Sequence, residues 1–284
     1  MEFINEILQY EFLQRALITA VVVGIISGTI GSFIILRGLS LMGDAISHAI
    51  LPGIAISFML GINFFYGAVL AGILTTIGIG FISQNSRIKN DTSIGIVFAA
   101  AFALGILLIT KAQTAIDLTQ ILFGNVLSVR SSDMWLTIII GIIILTVVFL
   151  FYKQLLVSSF DPIMAAAYGL PVRLIHYLIM ILLTLVTVAS LQTVGVVLVI
   201  AMLITPAATA YLLTDRLSTM IFLAMGFGAV SSLIGLNFSF KYNLASGPVI
   251  VLVTTFFFIL SFVFAPKYGI LWRTIRARRS KASF

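Results

Sequence analysis

Residues 36–61 read LRGLSLMGDAISHAILPGIAISFMLG. A lone base, Arg37, closes one apolar run, and a second run extends from about 43 to 60. Roughly 17 to 25 apolar residues suffice to cross a bilayer, so each run is a candidate span. Inside the second stand Asp44 and His48, four residues apart. On a helix that spacing places both side chains on one face, with their Cβ atoms about 5–6 Å apart. A carboxylate in lipid costs several kcal/mol unless it is paired or faces water, which makes the pair a candidate functional group.

The rest of the chain has the same character. Of 284 residues, 61% are hydrophobic and 9% charged, against an apolar share of about half and a charged share of about a quarter in soluble domains. Reading outward gives nine candidate spans, near 16–36, 43–60, 63–82, 94–110, 133–152, 173–191, 194–213, 218–237 and 248–265. Eight or ten remain open, and the fourth and seventh segments are the ones expected to be broken or re-entrant. No stretch is left for a separate soluble domain. The expected fold is an all-α integral membrane protein, a polytopic bundle of about nine transmembrane helices forming one domain over residues 1–284.

The N-terminal MEFINEILQYEFLQR holds three glutamates and no base before Arg15, so it lacks the basic n-region of a cleaved signal peptide. Cysteine is absent, which excludes disulfides and thiolate metal ligands. The net charge of +7 is placed by the positive-inside rule. With the N-terminus outside and nine spans, twelve Lys and Arg residues fall in the cytoplasm, while Arg15, Lys111, Arg130 and Lys241 fall outside. The basic tail, 267–284, then reads as an anchor to anionic lipid at the cytoplasmic face, and nucleic-acid binding is the poorer explanation.

Gly24 and Gly28 form a GxxxG in the first span. It reads as close packing within the chain ahead of a dimer seam. No internal repeat is evident.

Eight of the nine acidic residues sit in loops or at span ends, leaving Asp44 as the exception. With His48 it offers one hard oxygen and one borderline nitrogen ligand, a set suited to Mn²⁺, Zn²⁺ or Fe²⁺ and not to Cu⁺. Two ligands are too few for a tight site. Two copies meeting at a two-fold axis would supply two aspartates and two histidines around one cation. The competing reading makes Asp44 the N-cap of the second span, after a break at Gly43, and His48 a satisfied core histidine. His176, just after Arg173, is assigned a surface role.

Pro206, in MLITPAATA, frees the Met202 carbonyl, and Thr205 and Thr209 add hydroxyls nearby. This is either a helix kink satisfied by neighbours or a hinge lining a path. In SSFDPIMAAAYGLPVRLIHY, Asp161 and Pro162 start a short helix, Ala165 to Ala167 extend it, and Gly169 with Pro171 stop it. Such a helix, about 160–171, would lie at the cytoplasmic face, where a partner could push it.

These segments, together with DLTQILFGNVLSV (117–129) and LQTVGVVLVIAMLITPAATAYLLTDRL (191–217), are similar to the membrane permease subunits of bacterial ATP-binding-cassette importers for manganese, zinc and iron(II). The resemblance covers nearly the whole chain, and GDAxSHAxLPG is its most specific part. It implies the permease fold of the vitamin B12 and siderophore importers without their first helix. It also implies a homodimeric channel in the cell membrane, two cytoplasmic ATPase subunits and an extracytoplasmic metal-binding protein that delivers the ion. Carried over residue by residue, it gives a metal-contacting role to Asp44 and His48. A coupling role falls on the 160–171 segment, through Asp161, Pro162, Ala166, Gly169, Leu170 and Pro171. No resident cofactor is implied, only a transported divalent cation.

The chain contains no G-x-x-x-x-G-K-[ST] loop, so the energy of ATP must be harvested by another polypeptide. Two rivals remain at this point. One is an ion-coupled secondary transporter using the Asp44–His48 pair as a relay. The other is an intramembrane zinc hydrolase, for which a third ligand and a general base are wanting.

Overall fold

The computed structural model describes residues 9–111 and 126–271. Most of DLTQILFGNVLSV and of the basic tail lies outside the described residues, Asp117 included. Among the described residues twelve α-helices are seen: α1 (Glu11–Leu36), α2 (Met42–Ala49), α3 (Leu51–Leu60), α4 (Phe64–Asn85), α5 (Asn90–Lys111), α6 (Ser131–Leu150), α7 (Tyr152–Phe160), α8 (Pro162–Ala167), α9 (Val172–Val194), α10 (Val196–Leu213), α11 (Leu217–Tyr242) and α12 (Ser246–Phe264). With α2 and α3 taken together, nine segments among the described residues are long and apolar enough to cross a bilayer.

The break falls in a different span from the expected one. The fourth, α5, runs unbroken from Asn90 to Lys111, and α10 continues through Pro206. The second span is the divided one, with α2 ending at Ala49 and α3 beginning at Leu51. Pro52 explains it: proline has no N–H to return to the carbonyl four residues back, here that of His48. The seventh span is re-set at its start instead. Gly195, at φ +82°, is the only residue between α9 and α10, and it is buried. Leu183 before it and Leu203 after it line the same crevice, so the chain doubles back at that glycine.

The loops sort to two ends. At one end Leu36, Phe160, Tyr211, Thr214 and Arg216 border one cleft, and Lys267 bonds Asp215. At the other, the rings of Tyr10 and Phe12 each lie 6.4 Å from that of Phe240. The bases Arg37, Arg216 and Lys267 therefore share one end of the bundle.

Helix α1 is its centre, most of its residues being buried. Glycine makes the approach of its neighbours possible. A Cβ on Gly24 would stand 2.6 Å from the Gly228 carbonyl carbon, and one on Gly28 2.6 Å from the Ala224 oxygen. The Ser232 hydroxyl donates to the Ala20 carbonyl at 2.9 Å across the same seam. In lipid, where apolar surface gains little by leaving its solvent, such backbone contact and interhelical bonding supply the cohesion. The GxxxG thus serves packing within the chain. At the other extreme, α5 buries only Ser93, Ile94 and Gly105 within the single chain.

Candidate metal site and candidate coupling helix

Arg37 ends α1, and the chain then makes a tight, fully bonded turn. Gly38 adopts φ +65°, the Gly38 amide donates to the Ile35 carbonyl at 3.1 Å and the Leu39 amide to Ile34 at 3.0 Å. This is the paired bonding of a Schellman stop, which requires a residue tolerant of the left-handed region at its centre. Leu39 seats the turn in the core, and α2 starts three residues later.

Asp44 lies in the first turn of α2 but is not its cap. Leu41 occupies that position and no side chain caps the helix. Gly43 is inside the helix, against the Leu203 side chain, so the break expected there belongs to Gly38. The capping explanation for Asp44 therefore falls, although the positive end of α2 still favours its carboxylate. His48 stands one turn on, with Nε2 3.5 Å from Asp44 Oδ1. The Asp44 side chain is 49% exposed and that of His48 25%, so the pair opens onto the outside of the single chain, and His48 is no satisfied core residue.

Two further residues frame it. The rings of Phe98 and Phe102 on α5 stand 6.0 and 5.7 Å from the His48 imidazole, Phe102 edge-on, and lie 5.8 Å apart with their planes nearly aligned. Nothing in the sequence distinguishes this pair from other aromatics in apolar spans. Beside them on α5, Gly95, Ala99 and Ala103 form an exposed stripe at helical spacing, and a Cβ on Gly95 would meet open space. Among the described residues no three His, Cys, Asp or Glu side chains converge. One chain thus brings two candidate ligands, near the start of a helix, to a surface lined by small residues.

Pro206 and Thr209 do not gather there. Both are buried, and the Thr209 hydroxyl donates to the Thr205 carbonyl at 2.7 Å. Thr205 is half-buried. From the same helix Leu203 reaches α2, its side chain lying against Gly43.

At the end bearing the bases, Asp161 caps α8, its Oδ1 accepting from the amides of Ile163 at 3.0 Å and Met164 at 2.9 Å. Pro162 holds the first helical position, where its missing N–H costs nothing. The helix stops as α1 does: Gly169 at φ +76°, its amide bonded to Ala166 at 2.9 Å, and the Leu170 amide bonded to Ala165 at 3.1 Å. Pro171 caps α9. Ala165 anchors α8 to the core, while Ile163 is 84% exposed and Met164, Tyr168 and Phe160 are exposed around it. A one- to two-turn helix with rigid ends thus presents an apolar crest outward.

His176 does not lie free at the surface as expected. It is half-buried, with Nδ1 3.4 Å from Arg37 Nη1. Arg37 also donates from Nε to Ser159 Oγ at 3.1 Å and from Nη2 to Ser158 Oγ at 3.0 Å. Burial pushes the Arg37 guanidinium down to about 10, which leaves it charged at neutral pH. Lys267, the first base of the tail, and Tyr268 both bond Asp215, while the other bases of the tail lie outside the described residues.

Known proteins share this architecture. The model of the ABC 3 transport family matches residues 9–265. The manganese transport system membrane protein MntC of Listeria monocytogenes is 67% identical over 272 residues, covering 96% of this chain and 97% of the relative. The manganese import system permease protein ScaB of Streptococcus gordonii is 54% identical, covering 97% and 99%. The solved structure of PsaBC from Streptococcus pneumoniae in complex with Fab superposes with a TM-score of 0.86 at 52% identity, covering 98% of this chain and 99% of that one. With the family model spanning nearly its whole length and such relatives beside it, the chain belongs to the ABC 3 transport family.

Proposed function

We propose that this chain is the membrane-spanning permease subunit of an ATP-driven importer of a divalent transition-metal ion, with manganese the leading cargo and zinc or iron(II) its competitors. The observation that carries the site is the Asp44–His48 pair, held 3.5 Å apart and half-open to the outside of the single chain. Placed in a span, such a pair is costly unless something polar covers it. A cation and a second copy of the same face would do so.

The second copy would meet α5. Its stripe of Gly95, Ala99 and Ala103 lets helices approach, as small residues do in lipid, and a two-fold axis there repeats the ligand pair. Two carboxylate oxygens and two imidazole nitrogens then surround one ion. Phe98 and Phe102 would exclude water on the flank, strengthening the ion's hold on its ligands. The set is loose enough for transit, and Mg²⁺, which dehydrates reluctantly, is disfavoured.

No phosphate-cradling loop exists in this chain, so two cytoplasmic ATPase subunits would bind and hydrolyse ATP. The α8 crest of Ile163, Met164 and Tyr168 is the surface they would grip. A metal-binding protein outside would deliver the ion. In this orientation the N-terminus is extracytoplasmic and the C-terminus cytoplasmic, and the whole chain acts as one transmembrane domain. Family membership displaces the ion-coupled secondary transporter, and among the described residues no third His, Cys, Asp or Glu joins the pair to support the hydrolase.

The test is uptake of Mn²⁺ into proteoliposomes containing the chain with its ATPase subunits, the metal-binding protein being supplied outside. Uptake should require ATP inside the compartment equivalent to the cytoplasm and persist when proton and sodium gradients are collapsed. Uptake that tracks an ion gradient and ignores ATP would overturn the reading.

A further inference from the structure

Arg37 holds three groups with one guanidinium, and their positions in the chain are unusual. Ser158 and Ser159 stand three and two residues before Asp161, the cap of α8. His176 stands on the first turn and a half of α9, just beyond the stop of α8. The fork reaches both flanks of that short helix, from Nε and Nη2 on the α7 side and from Nη1 on the α9 side. Arg37 itself is the residue that ends α1, and the Schellman turn it opens leads within seven residues to Asp44.

Each acceptor is prepared for the role. The Ser159 hydroxyl donates its own proton to the Leu155 carbonyl at 2.7 Å, which turns its lone pairs toward Arg37. Arginine has donors only, so His176 must accept through an unprotonated Nδ1 and carry its proton on Nε2. Ser158 is buried. A planar fork with fixed donor directions can make three such bonds at once, whereas a lysine ammonium is a single mobile point charge.

We propose that Arg37 is the positioning residue that ties the ATPase-facing helix α8 to the metal-bearing helix α2, so that displacement of α8 is delivered to Asp44 and His48 through the α1–α2 turn. The proposal rests on the importer reading of α8 and of the Asp44–His48 pair. The rigidity of the two glycine stops gives it mechanical sense. Gly38 and Gly169 each close a turn with paired backbone bonds, so neither turn absorbs a displacement imposed on the guanidinium between them. Arg37 touches no metal ligand and acts only through position.

The experiment uses the full chain assembled with its ATPase subunits in proteoliposomes, with the metal-binding protein supplied outside, and reads Mn²⁺ transported per ATP hydrolysed. Arg37→Lys should leave Mn²⁺ binding to the detergent-solubilised complex within about twofold of wild type and ATP hydrolysis at half its rate or more. Metal moved per ATP should fall at least tenfold. A Ser158→Ala, Ser159→Ala double variant, which leaves the arginine in place, should lower the same ratio two- to fivefold and keeps the test alive if Arg37→Lys does not assemble. A wild-type ratio in either assembled variant overturns the tie. So does a parallel loss of hydrolysis and transport, which would assign Arg37 to subunit docking. Failure of the importer reading shows separately, as an Asp44→Ala complex that still moves metal at the wild-type ratio.

Discussion

Gly24 on α1 and Gly228 on α11 meet backbone to backbone: a Cβ on Gly228 would fall 2.4 Å from the Gly24 oxygen. No flexible side-chain end is available to move aside. A Gly228→Val substitution must separate two central helices, and overpacking of this kind costs about 1–3 kcal/mol or more. The expected result is a lower midpoint of thermal or denaturant unfolding in detergent, monitored by circular dichroism. An unchanged midpoint would show that α1 and α11 do not pack as described.

Gly95 offers the contrast. Space around its Cβ is open in the single chain, so Gly95→Leu should leave the unfolding free energy of the detergent-solubilised monomer within about 0.5 kcal/mol of wild type. If α5 is the two-fold seam, the same substitution should weaken self-association at least tenfold, read by single-molecule photobleaching or by cross-linking in membranes. Because the chain has no native cysteine, a cysteine introduced at Ala99 reports on that seam without background.

Asp161 caps a helix too short to stand without it. Replacing a capping aspartate by alanine costs about 1 kcal/mol, so Asp161→Ala should loosen α8 and reduce co-purification of the ATPase subunits several-fold. Asp161→Ser, which restores an oxygen at that position, should recover most of it. Equal loss in both variants would mean that the carboxylate is needed for contact and not for capping.

The tie among Asp215, Lys267 and Tyr268 makes a prediction with a definite sign. Hydrogen bonds from Lys267 and then Tyr268 hold the Asp215 carboxyl below the usual carboxylate range. A carboxylate whose folded pKa is depressed contributes above its unfolded value of about 3.9, and the contribution is lost as pH falls through the lower folded value. The tie is therefore intact at neutral pH and opens only in strong acid. The same bond, donated to Asp215, raises the Tyr268 phenol. Asp215→Asn should shift one tyrosine's ionisation back toward about 10 in a spectrophotometric difference titration against wild type. It should also make Lys267 more reactive toward an acylating reagent at neutral pH.

The spans are legible in the sequence because each is a predominantly apolar run of sufficient length, and the α8 punctuation is legible because Asp-Pro and Gly-x-Pro have strong local conformational preferences. Asp44 and His48 stand out as polar groups where lipid penalises them. The break at Ile50 is easily misplaced because Pro52 sits within a run of apolar residues, although its missing amide acts on the carbonyl of His48 itself. The Asp44 cap fails because Gly43, small enough for Leu203 to pack on, mimics a stop. Phe98, Phe102 and the Arg37 fork are invisible for one reason: they depend on contacts between segments 50 to 139 residues apart, and a single chain of letters carries no record of which helices become neighbours.

The most direct test of the account is the binding of Mn²⁺ to the purified complex, monitored by electron paramagnetic resonance. Wild type should bind one ion for every two copies of this chain, with nitrogen hyperfine structure from imidazole. His48→Ala should abolish the nitrogen signal, and Asp44→Ala should weaken binding at least tenfold. An undiminished, nitrogen-coupled Mn²⁺ signal in both variants would contradict the claim that Asp44 and His48 hold the ion.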